Sequence, residues 1–159
     1  MTSLQAKVWL SQETIAIVHK ILWKTLANES LYQIKLKQFH WNVKWPHFSE
    51  YHELFEEMYT SLTEVIDDTA ERIRALWIDC IWTMHSFINH STLTENTELS
   101  IDATSMLMVL LQDEEHLIQE LRKDIQICDE LWDDGNTDFL IAIMQRHEKS
   151  AWMLRSTLS

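Results

Sequence analysis

Residues 49–76 read SEYHELFEEMYTSLTEVIDDTAERIRAL, and this stretch decides the fold class. Phe55, Met58, Leu62, Val65, Ile66, Ile73 and Leu76 recur at the three-and-four spacing of one helix face, and polar residues fill the positions between them. Neither glycine nor proline interrupts the run. Ser49 is placed to cap the helix, because its hydroxyl can accept from a free amide of the first turn. Just upstream stands Pro46, which restricts the residue before it and breaks whatever precedes.

The same periodicity extends in both directions. Upstream, Ile15, Val18, Leu22, Leu26 and Leu36 predict a helix from about Ser11 to Trp41. Downstream, a connection of roughly two dozen residues follows, with a short helix expected near Ile81 to Asn89, and such a length suits a crossover rather than a tight turn. A third long helix begins at Ser100 or Asp102 and runs to about Leu131. Asp133 to Asn136 is read as a turn, with Gly135 as the residue free to take positive φ. Asn136 or Thr137 then caps a last helix reaching Arg155. Four long helices with a long middle connection give an all-α four-helix bundle, read as one domain over residues 1–159.

Composition agrees. The chain has 159 residues, one glycine and one proline, too few turn formers for a sheet-rich fold. The formal charge of −12 repels phosphate backbones and attracts cations. The first ten residues hold one lysine and no arginine, so direct DNA binding is disfavoured. Cys80 and Cys128 lack metal-ligand spacing and are expected to be reduced thiols of a cytoplasmic protein. No apolar run is long enough for a membrane span, and no signal peptide follows Met1. The eight tryptophans sit mostly among apolar neighbours and are assigned to packing.

Chemistry is expected on the second helix. His52 and Glu56 stand four residues apart, as do Asp67 and Glu71, so each pair projects from adjacent turns of one face. Carboxylates with an imidazole suit a cation that takes oxygen and nitrogen ligands. The midpoints of the pairs lie about 15 residues apart, or roughly 22 Å at the helical rise, so one helix cannot bring them together. Two copies packed antiparallel about a two-fold axis near residues 61 and 62 can, which makes oligomerisation a condition of the site. His40, at the end of the first helix, is a third candidate, beside the alternative that it caps that helix. The Glu-x-x-His pairs of intrachain di-iron bundles do not occur; Asp113 and His116 come nearest.

The run His40-Trp41-Asn42-Val43-Lys44-Trp45-Pro46-His47-Phe48, with His52, Phe55-Glu56 and Asp67-x-x-Ala70-Glu71-Arg72-Ile73, resembles the signature of the Dps mini-ferritins. Asn89 to Leu93 is similar to that family's short middle helix, and His147 to Arg155 to its closing helix. The likeness covers about residues 11 to 157. It implies a ferritin-like bundle assembled as a hollow homo-dodecamer, with ferroxidase centres at dimer interfaces. Carried over, His40, His52 and Glu56 of one subunit face Asp67 and Glu71 of its mate. The implied activity oxidises Fe(II), with hydrogen peroxide preferred over oxygen, and stores ferric iron, which protects against oxidative stress. Trp41, beside a ligand, is a candidate electron donor, with packing at the helix end as the alternative. Asp134 and Asp138 are candidates for a three-fold entry pore. A DNA-compacting protein and a structural cage without ferroxidase activity are the competing functions.

The chain also departs from the family pattern. Trp45 stands where glycine is usual before Pro46. Trp77 and Ile78 replace the Gly-Gly that commonly ends the second helix, and Glu56 replaces a more frequent aspartate. His47 is read as an exposed loop histidine.

Overall fold

The computed structural model describes residues 10–98 and 101–159. It is built from five helices, with no strand among the described residues: α1 (Gln12–Asn42), α2 (Phe48–Ala75), α3 (Met84–His90), α4 (Ala103–Glu130) and α5 (Asp134–Leu158). The four long helices form the bundle, and α3 is the short helix of the connection. No described helix is long and apolar enough to cross a membrane.

Side chains cap most helix starts. Ser11 Oγ accepts from the Thr14 amide at 3.0 Å, Thr83 caps α3, and Asp102 Oδ1 accepts from the Ser105 amide at 3.0 Å. Ser100, the other start considered for α4, lies outside the described residues. Three starts differ from the sequence reading. Ser49 is not a cap: α2 begins one residue earlier behind His47, whose backbone is left-handed at φ 65°. The last helix begins at Asp134 rather than after Asn136 or Thr137, because Asp133 turns inward and accepts from the Asn136 amide at 3.1 Å. The short helix starts at Met84 rather than Ile81, after its Thr83 cap.

Gly135 does not take positive φ. It lies in the first turn of α5, where a Cβ would stand 2.5 Å from Nη2 of Arg72. The missing side chain makes room for that guanidinium, whose Nε donates to Asn136 Oδ1 at 2.7 Å and ties α2 to α5. The left-handed positions that end helices belong instead to tryptophans, Trp77 at φ 61° and Trp132 at φ 57°. After α4, the Asp133 amide reaches Cys128 O and the Trp132 amide reaches Asp129 O, both at 3.0 Å, which is the Schellman pattern. Trp77 keeps the same conformation at the place where the family usually has glycine.

Val18, Leu22, Leu26 and Leu36 of α1 are buried against Phe55, Leu62, Val65 and Ile73 of α2, as the periodicity requires. The assignment of tryptophans to packing does not hold within the chain. Trp41, Trp45, Trp77, Trp82, Trp132 and Trp152 are all exposed. They stand at helix ends, in connections or on outward faces, and the apolar character of sequence neighbours does not fix which way a side chain points. Both cysteines are free, and burial pushes the Cys128 thiol up to about 12, so it stays protonated. α1 packs chiefly on α2, and α4 on α5. Between α2 and α5 an open cleft of about 410 Å³ descends to Tyr32, Glu114 and His147.

Candidate metal centre

The chain brings together three of the five residues expected to hold metal. His40 lies in the last turn of α1 and His52 in the second turn of α2, separated by the short bend 43–47. The bend folds α2 back along α1, so the two imidazoles meet. Their rings stack with centroids 3.6 Å apart and planes 20° apart, and Phe48 stacks on the outer face of His52 at 4.9 Å. Each histidine hydrogen-bonds the other's backbone: His40 Nδ1–H donates to His52 O at 2.8 Å, and His52 Nδ1–H donates to His40 O at 2.9 Å. With a proton on each Nδ1, the neutral rings keep an Nε2 lone pair for a ligand, and the carbonyls fix both ring orientations.

Glu56 completes the group. One ligand atom from each of His40, His52 and Glu56 lies within 4.8 Å of the others, the one such metal-capable group among the described residues. His40 is buried, His52 half-buried and Glu56 exposed, so the group opens outward through its carboxylate. Tyr59, one turn on, sits edge-on to His40 at 5.3 Å, and its hydroxyl donates a long 3.4 Å bond to Glu56 Oε1. The alternative role of His40 as a cap of its own helix is not seen. Its Nδ1 is committed to the carbonyl of another helix.

Asp67 and Glu71 do not join this group within one chain. They lie farther along α2, exposed, on the same side of the helix as His52 and Glu56, within a sector of roughly 100° at 100° per residue. Trp41 is 71 % exposed rather than packed. Asp134 and Asp138 are exposed at the start of α5, whereas Asp133 is the buried cap. Asp113 and His116 form no centre, since Asp113 pairs with Lys35 and His116 with the Thr92 hydroxyl.

A second polar group lies inside the bundle and has no counterpart in the sequence reading. Tyr32 O–H donates to Glu114 Oε1 at 2.8 Å. His147 Nδ1–H donates to Glu114 Oε2 at 2.5 Å, and His147 Nε2–H donates to Glu29 Oε1 at 2.9 Å. All four residues are buried, and Glu29 Oε2 has no partner. Burial alone would push the His147 imidazole down, but the flanking Glu29 and Glu114 carboxylates outweigh it and hold it well above its ordinary value of 6.5. It is therefore an imidazolium. Burial also holds the Tyr32 phenol protonated, assisted by the Glu114 charge. Residues 29, 32, 114 and 147 come from three helices, and no short-range spacing links them.

A model of the ferritin family, described as a ferritin-like domain, matches residues 19–159. The chain is 41% identical over 150 residues to an uncharacterised low temperature-induced protein of Nostoc sp., covering 94% of this chain and 84% of that one. It is 37% identical over 142 residues to DNA protection during starvation protein 2 of Bacillus anthracis, covering 89% and 97%. Its fold superposes with a TM-score of 0.91, at 26% identity and over the whole of both chains, on a Dps protein from Vibrio cholerae described as a member of a broad superfamily of ferritin-like diiron-carboxylate proteins.

Proposed function

Because this chain belongs to the ferritin-like family, and within it to the Dps mini-ferritins, we propose that it oxidises Fe(II) at a centre shared between two subunits and stores the ferric product. The observation that carries this reading is the reciprocal pair His40 and His52, which aims two imidazole nitrogens at one place beside Glu56. Three ligands with one open side form half of a centre. The other half is the exposed pair Asp67 and Glu71 of a second copy, brought opposite by a two-fold axis near residues 61 and 62. The diiron-carboxylate description of the Vibrio cholerae relative favours iron as the substrate metal.

In this scheme His40 and His52 supply neutral nitrogen donors, oriented by the carbonyls behind them. Glu56, Asp67 and Glu71 supply negative charge, which stabilises Fe(III) over Fe(II) and so favours oxidation. Hydrogen peroxide accepts two electrons and is the oxidant we favour over oxygen. The net charge of −12 per chain draws Fe(II) in and repels nucleic acid, so protection acts through iron removal rather than by coating DNA. A homo-dodecameric cage, with Asp134 and Asp138 at its entry pores and the cytoplasm as its location, completes the proposal.

Mixed subunits test the sharing directly. Stopped-flow absorbance after adding Fe(II) and peroxide should show fast oxidation in the wild type and loss of the fast phase in both His52→Ala and Asp67→Ala. Subunits of the two variants unfolded and refolded together should regain about a quarter of the wild-type sites, since half the dimers are mixed and one centre in each is intact. No recovery on mixing would place the ligands within single chains. Unchanged rates in both variants would remove this centre altogether.

A further inference from the structure

We propose that the cleft between α2 and α5 binds a small amphipathic cation: a primary amine on a medium-length aliphatic chain, its ammonium seated against Glu114 and its chain along the walls. The site is independent of the iron centre. The α2 residues that wall it point, on average, to the opposite side of that helix from His52, Glu56, Asp67 and Glu71, at about 100° per residue.

The cleft exists because α1 pairs with α2 and α4 with α5, while α2 and α5 meet only loosely. It measures about 410 Å³, within the range of small-molecule sites. Leu54, Met58, Leu62 and Val65 of α2 face Ile143 and Met153 of α5, so the walls are apolar. The two thioethers are flexible and polarisable, and they adapt to chains of differing shape. At the floor lie Tyr32, Glu114 and His147, each at most 3 % exposed. An apolar passage that ends on buried polar groups matches a ligand with one polar end.

Charge selects the sign of that end. Glu29 and Glu114 share the single imidazolium of His147, so the floor holds one negative charge in excess. Low-dielectric surroundings make that excess costly, and a cation beside it offsets the cost. Glu114 has room to receive one. Its Oε1 accepts from Tyr32 and its Oε2 from His147, and each carboxylate oxygen can accept a second bond. Glu29 Oε2, behind the same imidazolium, has no partner among the described residues. The rim does not override the floor, because its charges cancel: Arg146 pairs with Glu64 at 3.5 Å, and Glu57 lines the same mouth as Lys149. A fatty carboxylate would set either its anion beside the excess negative charge or its methyl end on polar groups. An amine meets neither conflict.

Calorimetric titration of the metal-free assembled protein with n-octylamine tests this, with octanoate as the opposite charge on the same kind of chain. The amine should bind saturably, once per chain, and at least about tenfold tighter than octanoate. Shortening it to n-hexylamine should weaken binding about fourfold per methylene removed. In NMR spectra of protein with labelled methionine methyls, Met58 and Met153 should shift as the amine binds. Glu114→Gln should weaken the amine at least about tenfold. Ser150→Trp narrows the cleft from α5 and leaves the floor residues in place, so it should abolish binding at an unchanged melting temperature. His52→Ala should bind the amine as the wild type does. Lack of saturable amine binding, octanoate binding as tight as that of the amine, or amine binding that survives both Glu114→Gln and Ser150→Trp overturns the inference and leaves the ferroxidase standing. Absence of iron oxidation in the wild type overturns the ferroxidase and leaves this site standing.

Discussion

The outer face of α2 and the interior of the bundle hold the same kinds of side chain under opposite conditions. On α2, Asp67 and Glu71 are exposed, solvated and unpaired within the described residues, and Glu56 has only the long bond from Tyr59. In the interior, Glu29 and Glu114 are buried, and each is hydrogen-bonded to the imidazolium of His147. A carboxylate on the outside is available to a ligand and contributes almost nothing to the fold. A carboxylate on the inside is committed to a partner, and its removal disturbs everything it touches. The chain thus separates binding from stability by placement rather than by residue type. The surface we propose to meet a metal and a second subunit stays open in the single chain, whereas the core beneath it ties its carboxylates to an imidazolium of its own.

The sharpest way to break this comparison is to remove the centre of the buried group. His147→Ala would leave Glu29 and Glu114 facing one another without a counter-charge, at a cost of about 3–5 kcal/mol. For a chain of this length that lowers the melting temperature by about 10 °C, measured by calorimetry on metal-free protein. The pH dependence has a definite sign. Because the folded imidazole titrates well above 6.5, its contribution is fully present below that value and is lost as pH rises through the raised one. Wild-type melting should therefore fall on the alkaline side more steeply than that of the variant. Equal slopes would mean that His147 is not the charged member of the group.

A smaller effect is expected at the turn that sets α5 against α4, and with it His147 against Glu114. Trp132 holds a left-handed backbone that costs a side chain about 1 kcal/mol. Trp132→Gly should return about that much stability in urea unfolding. A loss instead would show that the exposed indole is covered, by another subunit for example, and that the turn is stabilised through it.

The smallest effect belongs to the outer face. Asp67→Ala and Glu71→Ala should change unfolding free energy by no more than about 0.5 kcal/mol in metal-free buffer. A change as large as that of His147→Ala would make the α2 stripe a structural element and erase the distinction drawn above.

The two regions were not equally legible beforehand. His52, Glu56, Asp67 and Glu71 repeat within one helix, where spacing converts directly into shared direction, so the stripe can be read from residue numbers. His40 needed more: the bend 43–47 had to fold α2 back along α1, and its meeting with His52 followed from the resemblance rather than from spacing. The interior group was invisible. Glu29 and Glu114 are ordinary helix-surface residues by type, and only the rotation of α1, α4 and α5 about their axes turns them inward toward His147. The tryptophans mislead for a related reason, since apolar neighbours in sequence did not bury Trp41, Trp82 or Trp152. Gly135 was expected to bend the chain and instead makes room for Arg72.

By itself, the sequence determined that this chain is helical, how many long helices it forms, and that His52, Glu56, Asp67 and Glu71 share one face of α2. Those properties depend on local period and on the near absence of glycine and proline, and period is conserved along a helix whatever packs against it. The tertiary structure alone decided which histidine nitrogens are free, where the helices start within a residue or two, and that four scattered side chains make one buried network. Each of these depends on distances between segments remote in sequence, and packing of whole helices fixes such distances.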